Sequence, residues 1–212
     1  AAAHPRTGAN ATAPLIVGVP MLEGRFSPFF ASCAGDAAVA AFTGLTLIGF
    51  DASGLPRAGV EIPCLAYSCS FGATGVGQGS ACTFFLKNGV YFSDGTPVTA
   101  KDVLFSLYVL CDPLYDGPSA LFPLNIRGLS DYRNGSDPAR LIAGITSGRE
   151  VCADGITRDY VRVEFEGADP AAVSALAVTV APQHYYAAGF AGEVNACGVA
   201  PGSEAFFRAL HA

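Results

Sequence analysis

The segment Thr83 to Pro113, TFFLKNGVYFSDGTPVTAKDVLFSLYVLCDP, constrains the fold more tightly than any other part of the chain. The apolar run Thr83 to Leu86 meets Lys87-Asn88-Gly89, whose Asn-Gly pair suits a positive-φ turn. Val90-Tyr91-Phe92 is then expected to leave as a second short strand, in a hairpin or a sharp strand bend. Ser93 to Pro97 is a second turn cluster. Thr99 stands three residues before Asp102, the spacing at which a hydroxyl and a carboxylate satisfy the orphan amides of a helix start. Val103, Leu104, Leu107, Tyr108 and Leu110 recur at helical spacing, and Cys111-Asp112-Pro113 ends the helix because the residue before proline is pushed out of the α region. The segment reads as strand, turn, strand and capped helix.

Phe92 to Val103 follows almost letter for letter a pattern, "FsDGtpvtAkDV", and so resembles the extracellular solute-binding proteins of ABC importers, in the class that takes peptides, dipeptides and nickel. Weaker stretches extend the resemblance from Leu15 to about Tyr186: Phe26-Ser27-Pro28 for an "ldP" loop, Thr157 to Val163 for a "D..tv.i.l" strand, and Ala181 to Tyr186 for "i.Pkh.y". It implies an α/β fold, a type II periplasmic-binding-protein-like lobe of mixed β-sheet with packed helices. Residues 1–13 would be a flexible lead and 14–212 the N-terminal lobe, with about 56–159 as an inserted subdomain. Family members continue into a "GtGPY"-like crossing and a second lobe, neither of which these residues contain. The implied partners are a peptide or small solute, a membrane ABC permease, and a second lobe or partner chain. The implied location is the periplasm or, lipid-anchored, the outer face of the cell membrane.

Composition narrows the alternatives. A hydrophobic content of 51% suffices for a sizeable core. The longest weakly polar run, Ala171 to Ala181, is about half of the roughly 20 residues that cross a bilayer, so no transmembrane helix is expected. The net charge of -6 offers no basic face for nucleic acid. The seven cysteines form no C-x-x-C pair. They suggest an exported protein with some disulfides and at least one unpaired thiol; Cys69 and Cys82, flanking a loop between two apolar runs, are one conceivable pair. Histidine is sparse, with His184 the one lying outside the tails, and no metal or cofactor is expected. The glycines at 72, 75, 77 and 79 lead into a strand rather than a helix and lack a following Gly-Lys-Ser/Thr, which excludes a phosphate cradle.

The remaining elements are read more coarsely. Leu15 to Val19 is expected as a first strand, and the loop Met21 to Phe30 as a wall of a ligand cleft. Asp36 to Leu47 is expected as a helix with Val39, Ala40, Phe42, Thr43 and Leu47 on one side. Ile142 to Ile145, Gly155 to Thr157 and Tyr160 to Phe165 alternate as paired strands. Ala171 to Val180 begins helical and turns strand-like, and Ala205 to Leu210 is an amphipathic tail. Carried over from the resemblance, the ligand-binding candidates are Glu23, Phe29, Ser32, Cys33, Ala34, Ser119 and Phe122. Cys33 has an alternative role as a disulfide half and Ser32 as a helix cap.

Two other functions compete with solute binding. A hydrolase needs a nucleophile beside a base, but no G-x-S-x-G elbow occurs and His184 has no evident sequence partner. A surface or interaction protein keeping one lobe is the other alternative.

Overall fold

The computed structural model describes residues 17–74, 79–118, 121–167, 172–190 and 192–211. Its centre is the predicted capped helix, here α2 (Ala100–Cys111), preceded by α1 (Ala34–Thr43) and the short strands β1 (Gly49–Phe50) and β2 (Pro56–Arg57). Strands β3 (Ala66–Ala73), β4 (Ser80–Leu86), β5 (Ile145–Val151) and β6 (Thr157–Phe165) form one antiparallel sheet in the order β3-β4-β6-β5. Helices α3 (Leu129–Asn134), α4 (Ala172–Ala175), α5 (Gln183–Tyr186) and α6 (Glu204–Leu210) complete the fold.

Helix α2 starts where its chemistry dictates. The Asp102 carboxylate reaches back to accept from the Thr99 N–H at 2.8 Å and the Thr99 hydroxyl at 2.9 Å. Val103 through Cys111 are all buried, so the helix is a core helix rather than an amphipathic surface one. Each fully buried Leu, Val or Phe here contributes about 1.5–3 kcal/mol relative to exposure. One face of the sheet, with Phe84, Val161 and Val163 all at 0% exposure, packs towards α2.

The end of α2 is a buried polar junction. Asp112, at 0% exposure, accepts from the Tyr132 hydroxyl at 2.9 Å, the Leu114 N–H at 2.9 Å and the Gly202 N–H at 3.4 Å. Arg133 donates to the Cys111 and Asp112 carbonyls, satisfying groups that helix geometry leaves unpaired.

Several sequence expectations need correction. The turn at Gly89 (φ 72°) bends the chain, but Val90 to Phe92 forms no strand. The segment closes instead as a small loop at Gly95 (φ 86°), with Phe92 N–H on the Thr96 carbonyl and Val98 N–H on the Val90 carbonyl. Residues 17–19 are not a strand, and Leu15 lies outside the described residues. Helix α1 stops at Thr43 because Gly44 turns extended and lies against the Thr179 side chain, where a Cβ would come within 2.7 Å of its methyl. Leu45 to Leu47 then pairs with Val178 to Val180. The expected apolar side of α1 is not its buried side, since Phe42 is 68% exposed while Gly35 and Asp36 are buried. Strand β5 begins at Ile145 rather than ending there; the turn Cys152 to Gly155 (φ 76° at Gly155) joins it to β6.

All seven cysteines are free thiols. Register explains why Cys69 and Cys82 are not bridged: Phe84 stands opposite Cys69 and Phe71 opposite Cys82. The two cysteines are therefore diagonal neighbours, roughly 7–8 Å apart, beyond the roughly 7 Å over which a disulfide can close. Burial also pushes the Cys82 thiol up to about 12.

Candidate functional site

A recess of about 500 Å³ opens where three distant pieces of chain meet. Phe26, Pro28 and the end of α1 supply the first, Tyr91 to Asp94 in the turn after β4 the second, and Thr179 to Pro182 with Tyr185 and Tyr186 the third. Helix α2 holds the third piece in place. Ser106 Oγ accepts from the Ala181 N–H at 2.8 Å, and Asp102 Oδ1 accepts from the Gln183 N–H at 3.0 Å. The carboxylate that caps the helix therefore also anchors one wall of the recess.

The opposite wall is clasped by a pair that sequence spacing could not reveal. His184 Nε2 lies 2.7 Å from Asp94 Oδ2 across 90 residues, and the ring meets Phe92 edge-on at 5.7 Å. Asp94 also accepts from the Thr96 N–H at 2.8 Å. The His184 hydrogen bond, reinforced by Thr96, holds the Asp94 carboxyl down at about 2. A carboxylate at that value is an acceptor, so Nε2 carries the proton. The depressed value contributes stability that is fully present above the ordinary carboxylate range of about 4 and is lost as pH falls through about 2. His184→Ala is expected to move the Asp94 titration up towards that ordinary range, read by carboxyl-carbon NMR; an unmoved titration would remove His184 as the cause.

The loop Met21 to Phe30 is knitted to the start of α1 by Asp36. Its carboxylate accepts from the N–H groups of Glu23 at 3.1 Å, Gly24 at 3.3 Å and Arg25 at 2.8 Å. Burial works to raise the Asp36 carboxyl, but the Arg25, Gly24 and Glu23 donors outweigh it and hold it below its usual range. Cys33, not Ser32, caps the helix, its Sγ accepting from the Asp36 N–H at 3.3 Å. Glu23, Cys33 and Asp36 are the one group among the described residues whose metal-ligating atoms all lie within 4.8 Å of one another. Two of these three residues are already engaged in folding this loop.

None of the described sequence-predicted residues lines the recess. Glu23, Ser32, Cys33 and Ala34 gather at the start of α1. Phe29 is buried at 2% exposure, makes ring contacts with Phe105 and Tyr186, and lines a smaller cavity of about 140 Å³. The neighbouring Phe30 stacks on His211, and the Phe29 carbonyl accepts from the Tyr115 hydroxyl, so the loop before α1 meets the segment that follows α2. Phe122 is half exposed under the Arg133 guanidinium at 5.0 Å, in a separate cavity of about 280 Å³. Ser119 lies outside the described residues. The predicted loop supplies Phe26 and Pro28 to the recess, whereas Tyr91 reads in sequence as part of a short strand, Asp94 as part of a turn, and Tyr185 only as part of the family resemblance, with no sign that they converge.

The fold is that of a lobe of the type II periplasmic binding proteins. Haemophilus influenzae OppA in complex with RPPGFSPFR superposes with a TM-score of 0.54 at 24% identity, covering 79% of this chain and 30% of that one. Listeria monocytogenes OppA bound to peptide gives 0.55 at 18%, covering 80% and 30%. The sequence profile of the bacterial extracellular solute-binding proteins, family 5 Middle, matches residues 74–195, more than half of the 212 residues, and the chain belongs to that family. Among curated relatives, the oligopeptide-binding protein OppA of Lactococcus lactis subsp. lactis is 33% identical over 113 residues, which is 51% of this chain and 18% of that protein. The chain thus spans less than a fifth of the curated relative's length.

Proposed function

We propose that this chain is the ligand-receiving lobe of the substrate-binding component of an ABC importer, taking peptides or similar small solutes and performing no catalysis. The observation that carries the reading is the recess of about 500 Å³ walled by Phe26, Tyr91, Pro182 and Tyr185, a size and lining suited to a small ligand. Membership of an extracellular solute-binding family supports it, and so does the peptide-bound state of the structural relatives. The permease is the membrane partner, and the periplasm or a lipid-anchored position on the outer face of the cell is the place of work. No described helix is long and apolar enough to cross a membrane. Residues from about 56 to 159 are read as an insertion, a reading supported by the pairing of Leu45 to Leu47, before them, with Val178 to Val180, after them.

A hydrolase is the weaker reading. Asp94 and His184 do converge, which supplies the base and its orienting group. Among the described residues, however, no hydroxyl or thiol bonds the His184 ring, and nucleophilic catalysis requires that contact.

The test is a titration of the isotope-labelled chain with tripeptides to pentapeptides, followed by amide NMR. Shifts are expected at Tyr91, Thr179 and Tyr185, with strand β5 silent and with affinity on the order of 1 mM to 0.1 mM for a single lobe. Silence at the recess up to millimolar peptide would sink the reading.

A further inference from the structure

We propose that the recess selects ligands carrying a cationic nitrogen on an apolar body, and that Asp94 is the residue that recognises the nitrogen. This deepens the solute-binding reading above and rests on it for the choice of site. The observation is one of composition in space. Among the described lining residues, Asp94 is the single charged side chain at neutral pH; the rest are apolar, aromatic, hydroxyl-bearing or glycine. Among those described residues there is no lysine or arginine to meet an anion.

The carboxylate is also free enough and fixed enough to act. Its side chain is 53% exposed, and its two oxygens have room for further donors beyond His184 and Thr96. Those two partners hold its orientation before any ligand arrives, which reduces the ordering cost of binding. His184 is not among the lining residues, so the charge faces the cavity while its support stands behind it. The Asp94 carboxyl stays ionised throughout the neutral range. Tyr91 and Tyr185, at 62% and 71% exposure, bring two aromatic rings to the same lining, and ring faces attract cations further. A neutral ligand of the same shape would gain the apolar contacts without the ion pair, and an anionic one would be repelled.

The experiment titrates the whole chain near neutral pH with phenethylammonium, phenethyl alcohol and hydrocinnamate, three probes of similar body and different charge. The cation should bind roughly tenfold more tightly than the alcohol, equivalent to about 1.4 kcal/mol, and hydrocinnamate should fail to saturate. Asp94→Asn should bring cation and alcohol within about twofold of each other. Equal binding of cation and alcohol by the natural chain, binding of neither, or a cation preference that survives Asp94→Asn would each overturn the inference. The natural-chain series is decisive even if the variant folds poorly. The tripeptide Phe-Ala-Ala and its N-acetyl form separate the two levels. Equal binding of both refutes charge selection and leaves the peptide reading standing; failure of both while phenethylammonium binds refutes the peptide reading alone.

Discussion

Phe105→Ala is expected to lower the unfolding free energy by about 3–5 kcal/mol. Phe105 has 0% exposure and meets the rings of Phe29 at 6.0 Å, Tyr186 at 6.2 Å and Phe206 at 6.4 Å. Those rings belong to the loop before α1, to α5 and to α6, so one side chain on α2 supports three elements that never touch it in sequence. Alanine there leaves a void too well braced to collapse. Tyr186 also lines the recess, so ligand binding should weaken along with stability. Urea denaturation of Phe105→Ala beside Phe42→Ala is the measurement. Phe42 is 68% exposed and its loss should stay within about 0.5 kcal/mol. Equal costs for the two would refute the packing account.

Asp112→Ala is expected to cost about 1–3 kcal/mol for the stranded Tyr132 hydroxyl alone, since a buried donor without an acceptor loses its hydration with nothing in return. Asp112→Asn keeps an acceptor and should cost less. The two variants also separate by pH. Burial raises the Asp112 carboxyl above its usual range, so the folded state favours its protonated form. That contribution is fully present below the unfolded value of about 4 and is lost as pH rises through the folded value. The natural chain should therefore lose stability relative to Asp112→Asn over that interval. A gap that widens in favour of the natural chain as pH rises would contradict the sign.

The capped helix was legible because its signals are local. Thr99, Asp102 and the Asp112-Pro113 stop act within a few residues of one another, and the structure uses all of them. The turns at Gly89 and Gly95 were legible for the same reason. Burial near α1 was not. Phe29, expected at a cleft, is buried, and Phe42, expected on a packed side, faces solvent, because α1 is held by Asp36 and the loop it anchors rather than by its own apolar stripe. The recess was visible only as the loop carrying Phe26 and Pro28. Its charged residue looked like an ordinary Asp-Gly turn, and the histidine that positions it lies 90 residues away. Pairings of that range follow from the path of the chain between them, which no local spacing encodes.

The hydrogen bond from the Ser27 hydroxyl to the Leu210 carbonyl spans 183 residues, and Phe30 stacks on His211 beside it. This closure bears on how the chain comes to be folded during synthesis. All four strands of the sheet and α2 are made by Phe165, but the loop before α1 lacks its partners Leu210 and His211 until α6 has been made. Contacts of such long sequence separation carry the largest loop-closure cost and slow the search for the native state. The loop before α1 is thus made well ahead of the contacts from α6 that hold it.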